Sequence, residues 1–259
     1  VSIAAAHRRL DRPMRFLLRS RAMILSALLS RDGIEPTLVV AGVALVADAA
    51  GALYEPRSGA LIVADLHLEK GSSFARRGQM LPPYDTATTL GRLARLIDAY
   101  APRAVIALGD SFHDRGGPER MSGSDRQTVS ALQKTRDWIW ISGNHDPEPP
   151  AGLGGEAAAV MALGGLTLRH EPTAGAAAGE LAGHLHPVAK VAVRGRGLRR
   201  RCFATDGARV VLPAFGAYAG GLNVRDRAFD GLFAAGALTA WMLGDAGVYA
   251  IAGWGLRPD

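Results

Sequence analysis

LIVADLHLEKG, residues 61–71, is the stretch that decides how this chain folds. Leu61, Ile62, Val63 and Ala64 make a short, branched apolar run of the length of a buried strand. The run stops at a carboxylate and an imidazole two residues apart, Asp65 and His67. In open α/β sheets, sites are built in the crevice beyond the carboxyl ends of the strands, so this reads as a strand delivering polar side chains to a loop. Asp-x-His alone is an ordinary loop sequence; its meaning comes from recurrence. The same format returns in ALGD (107–110), WISGNHD (140–146), LTLRH (166–170) and GHLH (183–186).

Working outward, residues 37–40 and 43–47 read as an antiparallel hairpin around a Gly-containing turn. After residues 61–64 comes a loop, 69–83, with Lys70, Arg76 and Arg77. Asp85 is placed to cap a helix in which Leu90, Leu93, Leu96, Ile97 and Tyr100 recur at helical spacing, with Arg92 and Arg95 on its outer side. A strand at 103–108, a looser helix at about 124–135 and a strand at 138–141 complete a β-α-β-α-β half. The second half changes character. Residues 160–163, 166–170, 180–184, 188–193, 202–205 and 210–213 read as short Gly-punctuated strands, as in an antiparallel sheet. The Ala/Gly-rich pieces 151–159 and 173–179 read as loops, and 228–253 as a short helix with one or two closing strands. The expected fold class is α/β: a four-layer α-β-β-α sandwich of two facing mixed sheets.

With 259 residues the chain can bury a full core, and one catalytic domain over residues 34–259 is the simplest organisation. Thirty basic against 24 acidic residues, a net +6, suits an anionic substrate. Cys202 is the sole cysteine, which excludes an internal disulfide and a thiolate metal cage and points to a reducing, cytoplasmic setting with N/O ligands. Residues 1–33 carry Arg8, Arg9, Arg12, Arg15, Arg19 and Arg21 among apolar residues and read as a poorly ordered extension or a misassigned start. Their longest apolar run, 22–29, is interrupted by Ser26 and too short to span a bilayer, so no membrane partner is expected, an amphipathic helix touching DNA or a membrane being the other reading.

Six of the seven histidines, at 67, 113, 145, 170, 184 and 186, fall in the segment that holds Asp65, Asp110 and Asn144. One histidine after an apolar strand is usually a hydrogen-bonded loop residue, and Gly-Asp is a common turn. Five clusters, each closing an apolar run, are not explained that way. An oxygen and nitrogen donor set without thiolate suits Mn²⁺, Fe or Zn²⁺.

These motifs, in this order, resemble the signature of the calcineurin-like metallophosphoesterases over residues 61–187. More narrowly, DLHLEKGSSFARRG, LPPYDT, ALGDSFHD, GNHDP, LRHEP, GHLHP and LPAFGAYAGGLN resemble the bacterial ligase-associated DNA-damage-response endonuclease branch. The resemblance implies two divalent ions, Mn²⁺ first: Asp65, His67 and His186 around one, Asn144, His170 and His184 around the other, Asp110 bridging. It implies His145 beside the phosphate, and in-line attack by a metal-bridging hydroxide on a DNA phosphodiester. The chain departs from the family pattern in GDSFHD, where Asp114 lies four residues after Asp110 and His113 is inserted. No metal is therefore assigned to His113 or Asp114; with Asp146 they are expected to orient the ligands.

For substrate, Lys70, Arg76 and Arg77 lie just after the first ligands and Arg199 and Arg200 belong to a dense run just after the last; both are placed to track a nucleic-acid backbone, the second equally to be a solvated hairpin face. Phe215 reads as core, and Tyr218 as a candidate stacking residue. The implied setting is DNA repair on single-stranded DNA, with a DNA ligase, a helicase and a second nuclease as partners. Two alternatives stand beside it: a phosphodiesterase or pyrophosphatase for a nucleotide or lipid-linked small molecule, and a noncatalytic repair scaffold.

Overall fold

The computed structural model describes residues 36–193 and 195–259, so the expectations for residues 1–33 lie outside the described residues. Thr37–Val40 (β1) and Val43–Ala47 (β2) form the expected hairpin. Leu53–Glu55 (β3) returns antiparallel and leads into Ala60–Val63 (β4). All four positions of β4 are buried, which is why its sequence shows no polar alternation. Beyond β4 the sheet turns parallel, adding Ala104–Leu108 (β5), Asp137–Ile141 (β6) and Glu156–Ala158 (β7) in order. Lys70–Ala75 (α1) and Asp85–Tyr100 (α2) carry the chain from β4 to β5; Gly117–Arg120 (α3) and Gly123–Gln133 (α4) carry it from β5 to β6.

The second sheet contains Val160–Leu163 (β8), Leu166–Arg169 (β9), Glu180–Ala182 (β10), Val188–Val193 (β11), Arg196–Thr205 (β12), Val210–Val211 (β13), Thr239–Gly244 (β14) and Gly247–Ala252 (β15). Its spatial order is β15-β14-β12-β13-β10-β9-β8, with β11 paired to β12. The sheets face each other across an apolar layer in which Ile62, Ile106, Leu108 and Ile141 meet Leu168, Leu181, Phe203 and Leu212. Alternate residues of the same first-sheet strands, Leu61, Val63, Val105 and Trp140, point the other way and pack on Leu90, Leu93 and Ile97 of α2 and Val129 of α4. The outer face of the second sheet, including Cys202, Ala240 and Met242, is covered by Val224, Phe229 and Leu232, from irregular chain around the 3-10 turn Arg227–Phe229.

Several local expectations are corrected. The second sheet is mixed, as the expected fold class requires, but its short strands are not all antiparallel neighbours: β10 runs parallel to both β9 and β13, because long excursions rather than tight turns separate these strands. Residues 151–159 contain β7, added to the parallel edge of the first sheet. The loop after the first motif is helical at Lys70–Ala75. Asp85 does not cap α2; its carboxylate is buried and accepts from the Gly71 N–H at 3.1 Å. Arg92 does not face outward but donates from Nη1 to the Phe215 carbonyl at 2.7 Å. β12 begins six residues earlier than its apolar part, so the arginine run is strand.

One buried ion pair pins the second sheet. Arg209 is 1% exposed, lies 3.5 Å from Glu180 Oε1, and donates to the Thr173 and Gly175 carbonyls. Arg169 lies 3.8 Å from the other Glu180 oxygen and the Thr173 N–H and hydroxyl donate to the same carboxylate, so losing Arg209 leaves it partly compensated and costs less than the ~3–5 kcal/mol of a wholly orphaned buried charge. Arg209→Met should therefore lower the unfolding free energy by about 2–3 kcal/mol in a urea titration; a loss below about 1 kcal/mol would show that Arg169, Thr173 and water compensate Glu180 in full.

Candidate metal centre

The motif residues follow β4 (Asp65, His67), β5 (Asp110), β6 (Asn144, His145), β9 (His170) and β10 (His184, His186). β4, β5 and β6 are parallel, as are β9, β10 and β13, so each set opens at its carboxyl end. The two sheets are stitched together at that rim. Ala64 and Ala214 form a parallel bridge; the Phe215 N–H donates to the Ala64 carbonyl at 2.8 Å and the Gly216 N–H to the Asp65 carbonyl at 3.1 Å.

The backbone there is strained. Asp65, His67, Asp110, His184 and His186 all have φ between 43° and 68°. A left-handed non-glycine residue costs about 1–2 kcal/mol, so five at one rim persist only because their surroundings over-determine them. The His184 N–H donates to both Asp65 carboxylate oxygens, at 3.2 and 3.0 Å; the His67 N–H donates to the Asp110 carbonyl at 2.9 Å, and the Gly183 N–H to the His170 carbonyl at 2.9 Å. Gly143 is forced by contact: a Cβ there would lie 2.2 Å from both the N and Oδ1 of Asp110.

What these turns achieve is convergence of donor atoms. His67 Nε2 and His186 Nε2 are 3.1 Å apart, and His186 Nε2 is 3.4 Å from Asp65 Oδ1. In a second group, Asn144 Oδ1 is 2.9 Å from both His170 Nε2 and His184 Nδ1, which are 3.2 Å from each other. Asp110 Oδ1 lies 3.4 Å from His170 Nε2. Metal bonds of about 2.1 Å meeting near right angles place donor atoms about 3 Å apart, and these groups have that spacing and an all-N/O chemistry. His170 shows the supporting bond that fixes a ligating tautomer: Nδ1–H donates to the Leu108 carbonyl at 3.0 Å, leaving the Nε2 lone pair for the cluster. The residues present therefore fit divalent cations.

His145 is set differently. Its N–H donates to Asp110 Oδ1 at 2.9 Å, its Nδ1 is 2.7 Å from the His113 carbonyl, and its Nε2 is 3.8 Å from Asp110 Oδ2. The ring is more than a third exposed, unlike those of His67 and His170. His113 packs its ring against His67 and His145, with centroids 5.6 and 5.4 Å apart, and the three can bring donor atoms within 4.8 Å of one another. Asp114 points away from this group into a two-pronged pair with Arg120, at 2.8 and 2.9 Å. Asp146 Oδ2 accepts from the Phe112 N–H at 3.0 Å, while its buried Oδ1 has no partner among the described residues.

Protonation follows from burial and neighbouring charge. Burial, then His186, pushes His67 down to about 3, and burial with Lys70 takes His113 down to about 4, so both rings are neutral at pH 7. His184 is lowered too, by burial and His170. Burial opposes ionisation of Asp110, yet the His170 hydrogen bond and charge bring it down to about 2. His170 mirrors this: burial disfavours its cation, but Asp110 and Asp65 raise it to about 9. Asp146 rises to about 7, through burial and the Asp110 charge.

Of the expected substrate contacts, Lys70 opens α1 and donates to the Tyr218 carbonyl at 3.0 Å, which makes it a brace for loop 216–221. Arg76 and Arg77 are exposed at the end of α1, and Arg199 and Arg200 are exposed on β12. Phe215 is fully buried. Two arrangements escaped sequence reading. Glu69 is buried and accepts from Ser72 Oγ at 2.6 Å and Thr86 Oγ1 at 2.9 Å, tying the first motif to α2; Arg92 and Arg201 hold the consecutive carbonyls of Phe215 and Ala214. Both join residues far apart in the chain and leave no local signal.

The calcineurin-like phosphoesterase family model matches residues 60–187. The Pseudomonas putida nuclease MPE is similar at 31% identity and a TM-score of 0.65, over 84% of this chain and 100% of that one. Yfce, a phosphoesterase from E. coli, aligns at 14% identity and a TM-score of 0.37, over 74% of this chain and 98% of that one. No curated protein sequence matches the chain. No helix among the described residues is long and apolar enough to cross a membrane.

Two outcomes follow. Gly143→Ala must displace Asp110, so metal affinity measured by equilibrium dialysis should fall about 10–100-fold while circular dichroism is unchanged; undiminished affinity would remove Asp110 from the centre. In the metal-free protein the raised pKa of His170 is a stabilising contribution complete below its ordinary 6.5 and lost as pH climbs through about 9. Urea stability in a chelator should drop by about 2–3 kcal/mol between pH 6.5 and 9; a flat profile would contradict the His170–Asp110 pairing.

Proposed function

The chain belongs to the calcineurin-like phosphoesterase family, a metal-dependent class of hydrolases, and from that footing we propose that it is a two-metal phosphodiesterase that cuts within single-stranded DNA. The observation that carries the reading is two converging donor clusters, Asp65 with His67 and His186 and Asp110 with His170 and His184, with a partly exposed His145 beside them. Asp65, His67 and His186 would hold one divalent cation, and Asn144, His170 and His184 the other, with Asp110 between. Mn²⁺ suits this oxygen and nitrogen set. Such a pair of cations supplies charge neutralisation on the phosphoryl oxygens and a nucleophile available at neutral pH.

The chain's own groups do the rest. His145 has its Nδ1 proton committed to the His113 carbonyl, so Nε2 is the atom that carries a proton to the departing oxygen. Asp110, ionised well below neutral pH, fixes the backbone that carries His145 by accepting its N–H. His67 and His113 stay neutral and so add no positive charge that would repel the cations. DNA as substrate is supported by the nuclease among the similar structures and by exposed Arg76, Arg77 and Arg200 near the motif loops. Repair alongside a DNA ligase, a helicase and a second nuclease, in the cytoplasm, completes the proposal on the motif resemblance and on a lone cysteine that is buried.

Cleavage of circular single-stranded DNA with Mn²⁺ tests this, because a circle has no ends. Linear products that vanish with chelator are expected. Asp110→Ala should lose both metal and activity, whereas His145→Ala should retain metal and lose about 10²–10⁴ in turnover. Intact circles alongside hydrolysis of a small aryl phosphodiester would instead favour a small-molecule substrate; metal lost from the His145 variant would overturn the role given to that residue.

A further inference from the structure

A second charged feature stands beside the metal centre. β13 runs toward the ligand-bearing rim and β12 is antiparallel to it, with Thr205 opposite Val210 and Ala204 opposite Val211. Going backward along β12 therefore leads past the rim. Residues 196–201 pair only with β11, so the β11–β12 hairpin projects beyond the sheet at the end where the metal ligands lie. Between the base of this hairpin and loop 216–221 is a cavity of about 370 Å³, lined by Arg199, Arg200 and Arg201, by Gly220 and Gly221, and by one acidic residue, Asp245.

The loop is a wall shared with the metal centre. At one end the Gly216 N–H donates to the Asp65 carbonyl; at the other, Gly221 sits so close to His186 that a Cβ would lie 2.3 Å from its carbonyl oxygen. The three arginines are held to different degrees. Arg201 is half-buried and fixed, Nη1 donating to the Ala214 carbonyl at 2.7 Å, and the neighbouring charge is a second guanidinium, Arg92. No carboxylate pairs with either among the described residues. Arg199 is braced by Asp259 at 3.0 Å and by the Gly221 carbonyl at 2.8 Å. Arg200 is exposed and, among the described residues, reaches only the Arg199 carbonyl, at 3.3 Å. Arg201 spends one donor of its five-donor fork on a carbonyl, so the rest can take an anion without the side chain losing its place.

We propose that this cavity is a phosphate subsite that takes a backbone phosphate of the DNA strand flanking the bond being cut. The proposal rests on the nuclease reading and deepens it. Arg201 forms the fixed floor, Arg199 the braced wall, and Arg200 the arm that closes on the phosphate. A diester too small to reach past loop 216–221 gains nothing from it, so the subsite separates polynucleotide from small substrates.

The test uses Mn²⁺-loaded protein and a fluorescent single-stranded oligonucleotide, with binding measured by anisotropy across a salt series in the His145→Ala background. Arg200→Gln should weaken binding about tenfold and reduce the salt slope by about 0.7, the share of one phosphate contact on a single strand. Arg200→Lys should restore most of both. With His145 intact, Arg200→Gln should hydrolyse a small aryl phosphodiester at the unaltered rate while cleaving the oligonucleotide more slowly through a raised KM. Equal affinity and slope in the Gln variant, or an equal loss on both substrates, overturns the subsite. If the unsubstituted protein binds the oligonucleotide through Arg200 but never cuts it, the nuclease reading fails and the subsite stands. If it cuts DNA regardless of Arg200, only the subsite fails; if it does not bind DNA at all, both fail.

Discussion

Nitrogen and oxygen lone pairs held about 3 Å apart repel one another unless something positive lies among them, and the rim of this molecule is built to hold them so. Everything else in the fold serves that constraint. Two sheets with parallel central strands open at the same end, and the Ala64–Ala214 bridge locks those ends together. Five left-handed turns then aim the side chains inward. Their conformational cost, about 1–2 kcal/mol each, is offset by hydrogen bonds that run between the two halves, such as the His184 N–H to Asp65. A cation in each cluster would convert the remaining repulsion into attraction, so metal binding and local order are expected to be coupled.

Much of this was legible in residues alone. β1 and β2 have the bounds read from their alternation, and the polar motifs do close their strands, because a buried strand and a ligand-bearing loop each leave a local mark. Strand direction left none: β9, β10 and β13 are short apolar runs whether parallel or antiparallel, and only the excursions between them decide. The arginines of β12 lie, as one of their two readings has it, on the solvated face of a hairpin, but charge hides strand character there, so the strand bounds read from apolar residues fall short. β7 was missed for the opposite reason, since Ala-rich chain carries no period. Arg92 looked outward on the helix because the loop that covers it arrives from more than a hundred residues away.

The same long-range contacts explain why loop 214–221 matters more than its glycine-rich sequence suggests. Its carbonyls are held by Arg92, Arg201 and Lys70, and its N–H groups reach Ala64 and Asp65. It stands between the metal clusters and the arginine-lined cavity. A single loop, braced at these points, thereby sets the distance between where a phosphodiester would be cut and where the adjoining strand would be gripped.

Two cations that share Asp110 would sit at this rim, and anomalous diffraction from crystals grown with Mn²⁺ would locate them. Two peaks are expected, one among Asp65, His67 and His186 and the other among Asn144, His170 and His184, each within bonding distance of Asp110. A single peak, or one centred on His67, His113 and His145, would rule the shared arrangement out.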